Sequence, residues 1–140
     1  MAPKQTVFRM TLPSSPKYIG RVERFLKKLR HHIHLDEIQS NKLMISLTEA
    51  VNNAIVHGNK SDSAKKVTVV CEVLPGWLLV MVDDTGKGFR AYKVGNPLLK
   101  KNLLRESGRG IFLMRTLMDK VEFNMKRSGM QVSLWLNLNK

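Results

Sequence analysis

An α+β fold, a two-layer sandwich of three helices on one face of a mostly antiparallel five-stranded sheet, is what this 140-residue sequence predicts. Three observations carry that expectation. Five runs are rich in β-branched and apolar residues, at 5–12, 66–74, 77–82, 120–126 and 131–138. Four of them form two pairs, each joined by a tight turn, at Pro75-Gly76 and at Ser128-Gly129. Between the runs lie three stretches whose apolar residues keep helical spacing. The order is strand, helix, helix, hairpin, long loop, helix, hairpin.

Each element has a local reason. The first run places Val7, Met10 and Leu12 around Phe8 and Arg9 with an imperfect period of two, and Pro13 ends it. Ser14-Ser15-Pro16 reads as a helix start, with a serine N-cap and proline in the first turn. Ile19, Val22, Phe25, Leu26, Leu29 and Ile33 then mark one apolar side, leaving Arg21, Arg24, Lys27, Lys28 and Arg30 outside. His31, His32 and His34 close this helix, where cations suit the dipole, and lack companion ligands at a metal-site spacing. Asp36 caps the second helix, and Gly58 stands where a C′ glycine ends one. Residues 59–65 read as a polar loop, and 90–107 as a long aperiodic one, of the kind that often forms a lid. Ser107-Gly108-Arg109-Gly110 opens a third helix with Ile111, Phe112, Met114, Leu117 and Met118 expected inside.

Composition narrows the class. A hydrophobic fraction of 43% and a charged fraction of 25% are ordinary for a soluble globular protein, and the length suits one domain over 1–140. The single Cys71 excludes an internal disulfide framework and sits in an apolar run, as a core residue does. No apolar leader and no stretch of membrane-spanning length is present, so a cytoplasmic protein is expected. The net charge of +13 is the unusual quantity. Six basic residues and no acidic one lie between Lys87 and Arg105, and six more lie in 17–30 with Glu23 among them. The second group reads as a solvated helix face.

The chemistry centres on the second helix. Glu49, Asn53 and His57 recur every fourth residue and so share one side of it, while Ala50, Val51, Ala54 and Ile55 fill much of the remaining girth. Polar groups on a buried helix are costly unless partnered. Alone, the helix favours a core element whose polar residues meet solvent or backbone. Glycines supply the second signal. No Walker loop or complete Rossmann fingerprint is present. Yet Gly108-Arg109-Gly110 at a helix N-terminus offers free N–H groups to an anion. Gly86 and Gly88 let backbone approach a ligand closely, and Asp84 at a strand end can accept a hydrogen bond from an amino group.

In combination these residues resemble the GHKL (Bergerat-fold) ATPases and, among them, the bacterial anti-sigma-factor serine kinases. Glu49-Ala50-x-x-Asn53-Ala54-x-x-His57-Gly58 is similar to their N-box. Asp84-x-Gly86-x-Gly88-Phe89 is similar to their first glycine box. Residues 106–114, with Gly108-Arg109-Gly110 at their centre, are similar to the second, and Leu117-Met118-Asp119-x-Val121 continues the likeness. The resemblance covers nearly the whole chain. It implies ATP as ligand, Mg²⁺ held by Asn53, and Glu49 as the catalytic base or orienting group for the attacking hydroxyl. It implies Asp84 on the adenine amino group, Gly86 and Gly88 beneath the base, and the amides of Gly108, Arg109 and Gly110 on phosphate. The cationic loop, with Lys100, Lys101 and Arg105, would close over the nucleotide. His57 is expected to pack or cap. One departure is visible: the family usually has threonine after the glycine of the last hairpin, and here Gly129 is followed by Met130 and Gln131.

The function expected is an ATP-dependent serine protein kinase acting as an anti-sigma factor. It would phosphorylate an anti-sigma-factor antagonist, bind a sigma factor and work as a homodimer. The alternative is an ATP-binding regulatory module that captures a protein partner without phosphotransfer. Direct nucleic-acid binding is disfavoured despite the charge, since aromatics are only 6% and no groove-reading helix is evident.

Overall fold

The computed structural model describes residues 6–86 and 108–139. Strand β1 (Thr6–Pro13) leads through a 3₁₀ turn (Pro16–Tyr18) into helix α1 (Gly20–Arg30) and helix α2 (Glu37–Asn53). A π-helical turn (Ala54–Gly58) prolongs α2. Strands β2 (Lys66–Leu74) and β3 (Trp77–Asp83), helix α3 (Gly108–Leu117), and strands β4 (Lys120–Lys126) and β5 (Gly129–Asn137) follow. The strands form one sheet in the order β1-β2-β3-β5-β4, and every pairing is antiparallel. The antiparallel β2–β3 and β4–β5 pairings follow from the two hairpins, because two-residue connections cannot join parallel strands. At the first hairpin Leu74 faces Trp77 across Pro75-Gly76, and Gly76 takes the positive φ (75°) that the turn needs.

Alternation sets which face the helices cover. Val67, Val69 and Cys71 of β2, Leu78, Val80 and Val82 of β3, and Val132, Leu134 and Leu136 of β5 are buried in cross-strand register. Leu43, Leu47, Ala50 and Val51 of α2 and Val22, Leu26 and Leu29 of α1 share the same core, with Ile111 and Met114 of α3. Cys71 lies fully inside it, and burial pushes its thiol pKa up to about 12, so it packs as an apolar residue.

Four sequence expectations change. In β1 the inward phase is Phe8, Met10 and Leu12, and Val7 is exposed. Arg9 and Val7 share the outer phase, so the imperfect period was one regular alternation with an apolar residue on its wet side. Ser15 holds the N-cap position of the 3₁₀ turn without a side-chain cap bond, and Ser14 is fully buried. Phe112 of α3 is 67% exposed, because Ile111, Met114 and Met118 already form the inward line and Phe112 lies about 100° round from Ile111. Gly58 does not take a positive φ; Lys60 and Ser61 do. The Asp36 cap is present as expected, as a full capping box with Gln39: Gln39 N–H donates to Asp36 Oδ1 at 2.7 Å and Asp36 N–H to Gln39 Oε1 at 3.0 Å.

Candidate functional site

Two clusters, on the order of 10 Å apart along the α2 axis, meet on one side of the helix layer. The first lies where α3 begins. Glu49 and Asn53, one turn apart on α2, are half-buried, and the side chain of neither is hydrogen-bonded to another described residue. Gly110, buried in the first turn of α3, packs directly on this pair. A Cβ there would sit 2.7 Å from Glu49 Oε2 and 3.5 Å from the Asn53 amide nitrogen. A side chain at 110 would have to move the Glu49 carboxylate, the end of a flexible side chain. The consequence is that the N-terminus of α3, with the unsatisfied N–H groups of its first turn, stands beside a carboxylate and a carboxamide. Gly108 has open space around its Cα, and Arg109 is exposed.

The second cluster surrounds Asp84, just past β3. Its Oδ1 accepts hydrogen bonds from Gly86 N–H (3.0 Å) and Met130 N–H (3.1 Å), and Asp84 N–H donates to Met130 O (3.0 Å). Three glycines make room for it. A Cβ on Gly58 would overlap Asp84 Oδ2, one on Gly129 would overlap the Asp84 carbonyl, and one on Gly86 would overlap the Gly58 carbonyl. Gly129 also has a φ of 143°, which disfavours any side chain. Both amide bonds fall on Oδ1, so Oδ2 is left to meet a donor. Burial raises the Asp84 pKa above its ordinary 3.8, against the opposing pull of the Gly86 and Met130 amides.

The π turn joins the two clusters. From Ala54 the helix widens, and Asn59 N–H reaches back to Ala54 O at 2.9 Å, five residues earlier. A wider turn takes more residues per revolution, so the end of this helix departs from regular α-helical spacing. His57 is half-buried and engaged within the fold.

Asn59, assigned to a polar loop by the sequence reading, is fully buried and is the fastener of this region. Its Nδ2 donates to Ser14 Oγ at 2.7 Å and to Lys66 O at 3.1 Å, and its Oδ1 accepts from Thr85 N–H at 2.9 Å. One side chain thus ties the end of β1, the start of β2 and the segment after β3 to the end of the helix. All of its amide capacity toward buried groups is used, as burial demands. The only local signal was an asparagine directly after His57-Gly58.

Of the residues singled out by sequence, Glu49, Asn53 and Gly110 come together, as do Asp84 and Gly86. Gly88, Lys100 and Arg105, with the cationic loop, lie outside the described residues. Position 130, where threonine was expected, contributes through its backbone, which methionine provides as well as any residue.

For Mg²⁺ the donor set fits. A carboxamide oxygen on a rigid helix is a hard ligand for a hard cation. Among the described residues no group of three or more His, Cys, Asp or Glu side chains forms an all-protein metal site, so such an ion would depend on ligand oxygens as well.

Comparison with known proteins agrees with this fold. Residues 12–136 match the family described as histidine kinase-like ATPase domain. The chain is 30% identical, over 143 aligned residues, to the serine-protein kinase RsbW of Staphylococcus epidermidis, an alignment covering 96% of this chain and 88% of that one. It is 31% identical to the protein of the same name from Bacillus licheniformis, covering 94% and 85%, and 30% identical to that of Bacillus subtilis, covering 93% and 84%. In fold it is similar to a crystal structure of the RsbU and RsbW domains of a Mycobacterium tuberculosis protein, with a TM-score of 0.71 at 19% identity, over 98% of this chain and 33% of that one.

Proposed function

The chain belongs to the histidine kinase-like ATPase domains and, within them, to the serine-protein kinases of the RsbW family, and we propose from its site that it moves the γ-phosphoryl group of ATP to a serine of an anti-sigma-factor antagonist. The observation that supports this reading is the closeness of Gly110 to Glu49 and Asn53, a carboxylate and a carboxamide beside the first turn of α3.

Each residue has one task. Asp84 Oδ2 accepts from the adenine amino group, on a carboxylate already fixed through Oδ1. Gly86 and Gly88 let the chain pass under the base without a side chain in the way. The first-turn amides of Gly108, Arg109 and Gly110 hold phosphate oxygens at the positive end of α3. Lys100 and Arg105 add positive charge over the phosphates. Asn53 would hold Mg²⁺, which when bound neutralises charge on the phosphates. Glu49 accepts the proton of the serine hydroxyl as its oxygen bonds to the γ-phosphorus and the bond to the bridging oxygen of ADP breaks. Phosphoserine and ADP are the products.

A sigma factor is the second partner, and the working unit is a homodimer in the cytoplasm. The chain acts as one domain over 1–140. No described helix is long and apolar enough to cross a membrane.

The test is to incubate the protein with Mg-ATP and the antagonist encoded beside it and to map phosphoserine by mass spectrometry. Stoichiometric transfer to one serine is expected. Tight nucleotide binding with nucleotide-dependent capture of a partner, and no transfer, would select the regulatory-module reading in its place.

A further inference from the structure

Between β2 and the segment that follows β3, a side chain takes the place of a backbone rung. The β2–β3 ladder ends with Thr68 opposite Asp83, a register that would next set Val67 against Asp84 and Lys66 against Thr85. Neighbouring residues of a strand turn their N–H and C=O groups to opposite sides. Lys65 O, just before β2, accepts from Ser14 N–H just after β1, so Lys66 O faces the β3 side. Asp84 N–H donates to Met130 O on the β5 side, so Thr85 N–H faces the β2 side. The two groups are thus turned toward each other, yet each bonds to Asn59 between them. Thr85 N–H donates to Asn59 Oδ1 at 2.9 Å, and Lys66 O accepts from Asn59 Nδ2 at 3.1 Å. The carboxamide has the donor and acceptor of a peptide group, so it completes both strands while holding them apart.

This bond reaches the site directly. Asn59 is fully buried and Thr85 is exposed, so the core side of the bond holds the site side. Thr85 N–H belongs to the rigid peptide plane that begins at the Asp84 carbonyl. That plane is held at both ends: a Cβ on Gly129 would overlap its carbonyl oxygen, and Asn59 Oδ1 takes its N–H. Gly58 touches the same segment on either side of Thr85. A Cβ on Gly58 would overlap Asp84 Oδ2, and one on Gly86 would overlap the Gly58 carbonyl. Packing of this kind resists approach but not withdrawal. The Asn59 bond is directional, and it keeps residues 84–86 seated on the end of the π turn.

We infer that Asn59 is a positioning residue for the base: by locking the peptide after Asp84 it aims Oδ2 at the adenine amino group, and so sets the preference for ATP over a nucleotide without that group. The inference rests on the reading of Asp84 as the adenine acceptor. A polar site rejects the wrong edge strongly only while its groups are held in place, because a group free to turn finds another partner. A fastener and nothing more would loosen the fold and weaken every nucleotide alike. A positioning residue changes the response to the base edge and leaves the phosphate end, at Glu49, Asn53 and Gly110, as it was.

The experiment compares ATP with inosine triphosphate, which has the same sugar and phosphates and a carbonyl where adenine carries its amino group. Dissociation constants of the Mg²⁺ complexes are measured by calorimetry on the full chain. The unaltered protein is expected to prefer ATP by about tenfold or more. Asn59→Ala is expected to bring the preference to within about threefold, chiefly by weakening ATP. Ser14→Ala removes another bond of Asn59, the one from Nδ2 at 2.7 Å, and is expected to lower Tm while the preference holds. Thr85→Pro removes the donor itself at an exposed position, and proline favours extended backbone in the residue before it, as Asp84 keeps in its rung with Met130. It is expected to act as Asn59→Ala does, and it carries the test where the alanine variant does not fold. Asp84→Asn, whose amide can donate to the inosine carbonyl, is measured beside them. Preference lost in Asp84→Asn but kept in Asn59→Ala or Thr85→Pro would overturn the positioning role alone, as would its loss in Ser14→Ala. Preference kept in Asp84→Asn, or absent from the unaltered protein, would overturn the adenine reading and this inference with it. None of these readouts involves the antagonist, so they stand apart from phosphotransfer.

Discussion

The Asp84 end of the site and the Glu49 end are built on different principles. Asp84 is clamped by backbone: two amides on Oδ1, a returned bond to Met130 O, and three glycines that leave no room for a Cβ. Asn59 fastens the surrounding segments with three side-chain bonds. Glu49 and Asn53 instead stand on a helix packed by its apolar side, and their polar ends meet only the space above Gly110. A group held by many fixed partners selects one ligand edge with little reorganisation. A group held by helix packing alone stays available to a reacting atom. The difference teaches that substitutions at the first end should register in binding and stability, and at the second in turnover.

The largest effect tests the second end. Glu49→Ala is expected to lower phosphotransfer by roughly 10²- to 10⁴-fold, in the range of general-base loss, while the nucleotide dissociation constant stays within about threefold. Single-turnover phosphoserine formation beside calorimetric ATP binding measures both, and equal transfer by the variant would remove Glu49 from the chemistry. Next comes the fastener. Asn59→Ala leaves buried groups on three segments without partners and is expected to cost about 3 kcal/mol and roughly 10 °C in Tm, read by thermal denaturation. A loss below about 1 kcal/mol would mean that water replaces the side chain.

Asp84→Asn separates binding from stability. ATP affinity is expected to fall about tenfold or more, because the adenine amino group loses an ionised acceptor. Stability is expected to move the other way. Burial raises the Asp84 pKa above 3.8, so its contribution to stability is full below 3.8 and is lost as pH rises through the raised value. At neutral pH the asparagine variant is therefore expected to melt no lower than the parent protein. In the parent, ATP affinity should decline on acidification from a pH above 3.8, and in the variant this decline should be smaller, leaving the part due to ATP's own protonation. A parallel titration of both proteins by thermal shift with ATP checks it. The smallest effect belongs to Met130→Thr. Both backbone bonds to Asp84 persist, so Tm should hold, while a new hydroxyl is expected to tighten ATP binding by about three- to tenfold. Unchanged affinity would place this position outside reach of the phosphates.

Much of this was legible locally. The Asp36–Gln39 capping box, the Pro75-Gly76 turn and the apolar stripes of α1 and α2 depend on residues a few positions apart, whose physics a sequence displays directly. Glu49 and Asn53 were found by their one-turn spacing, and Gly110 by its place at a helix start. What was missed had distant causes. Gly58 looked like a helix-stopping residue because a left-handed C′ is the local reason for glycine there. Its actual constraint is the carboxylate of Asp84, 26 positions away in sequence. Asn59 looked like loop because its partners are Ser14, Lys66 and Thr85, brought to it only by the closed sheet. Phe112 and Val7 were misplaced because hydrophobicity alone does not choose between two neighbouring phases of a helix or strand.

By itself, then, the sequence determined the element order, the antiparallel sheet through its hairpins, and the chemical inventory of Glu49, Asn53, Asp84 and the glycines. These follow from periodicity, turn chemistry and side-chain type, all short-range properties. Only the tertiary structure decided how the inventory is mounted. It set Gly110 against Glu49, turned Oδ2 of Asp84 away from the two amides that hold Oδ1, and widened the end of α2 into a π turn. Such choices depend on which atoms share a volume after packing, and close packing is a property of the whole chain.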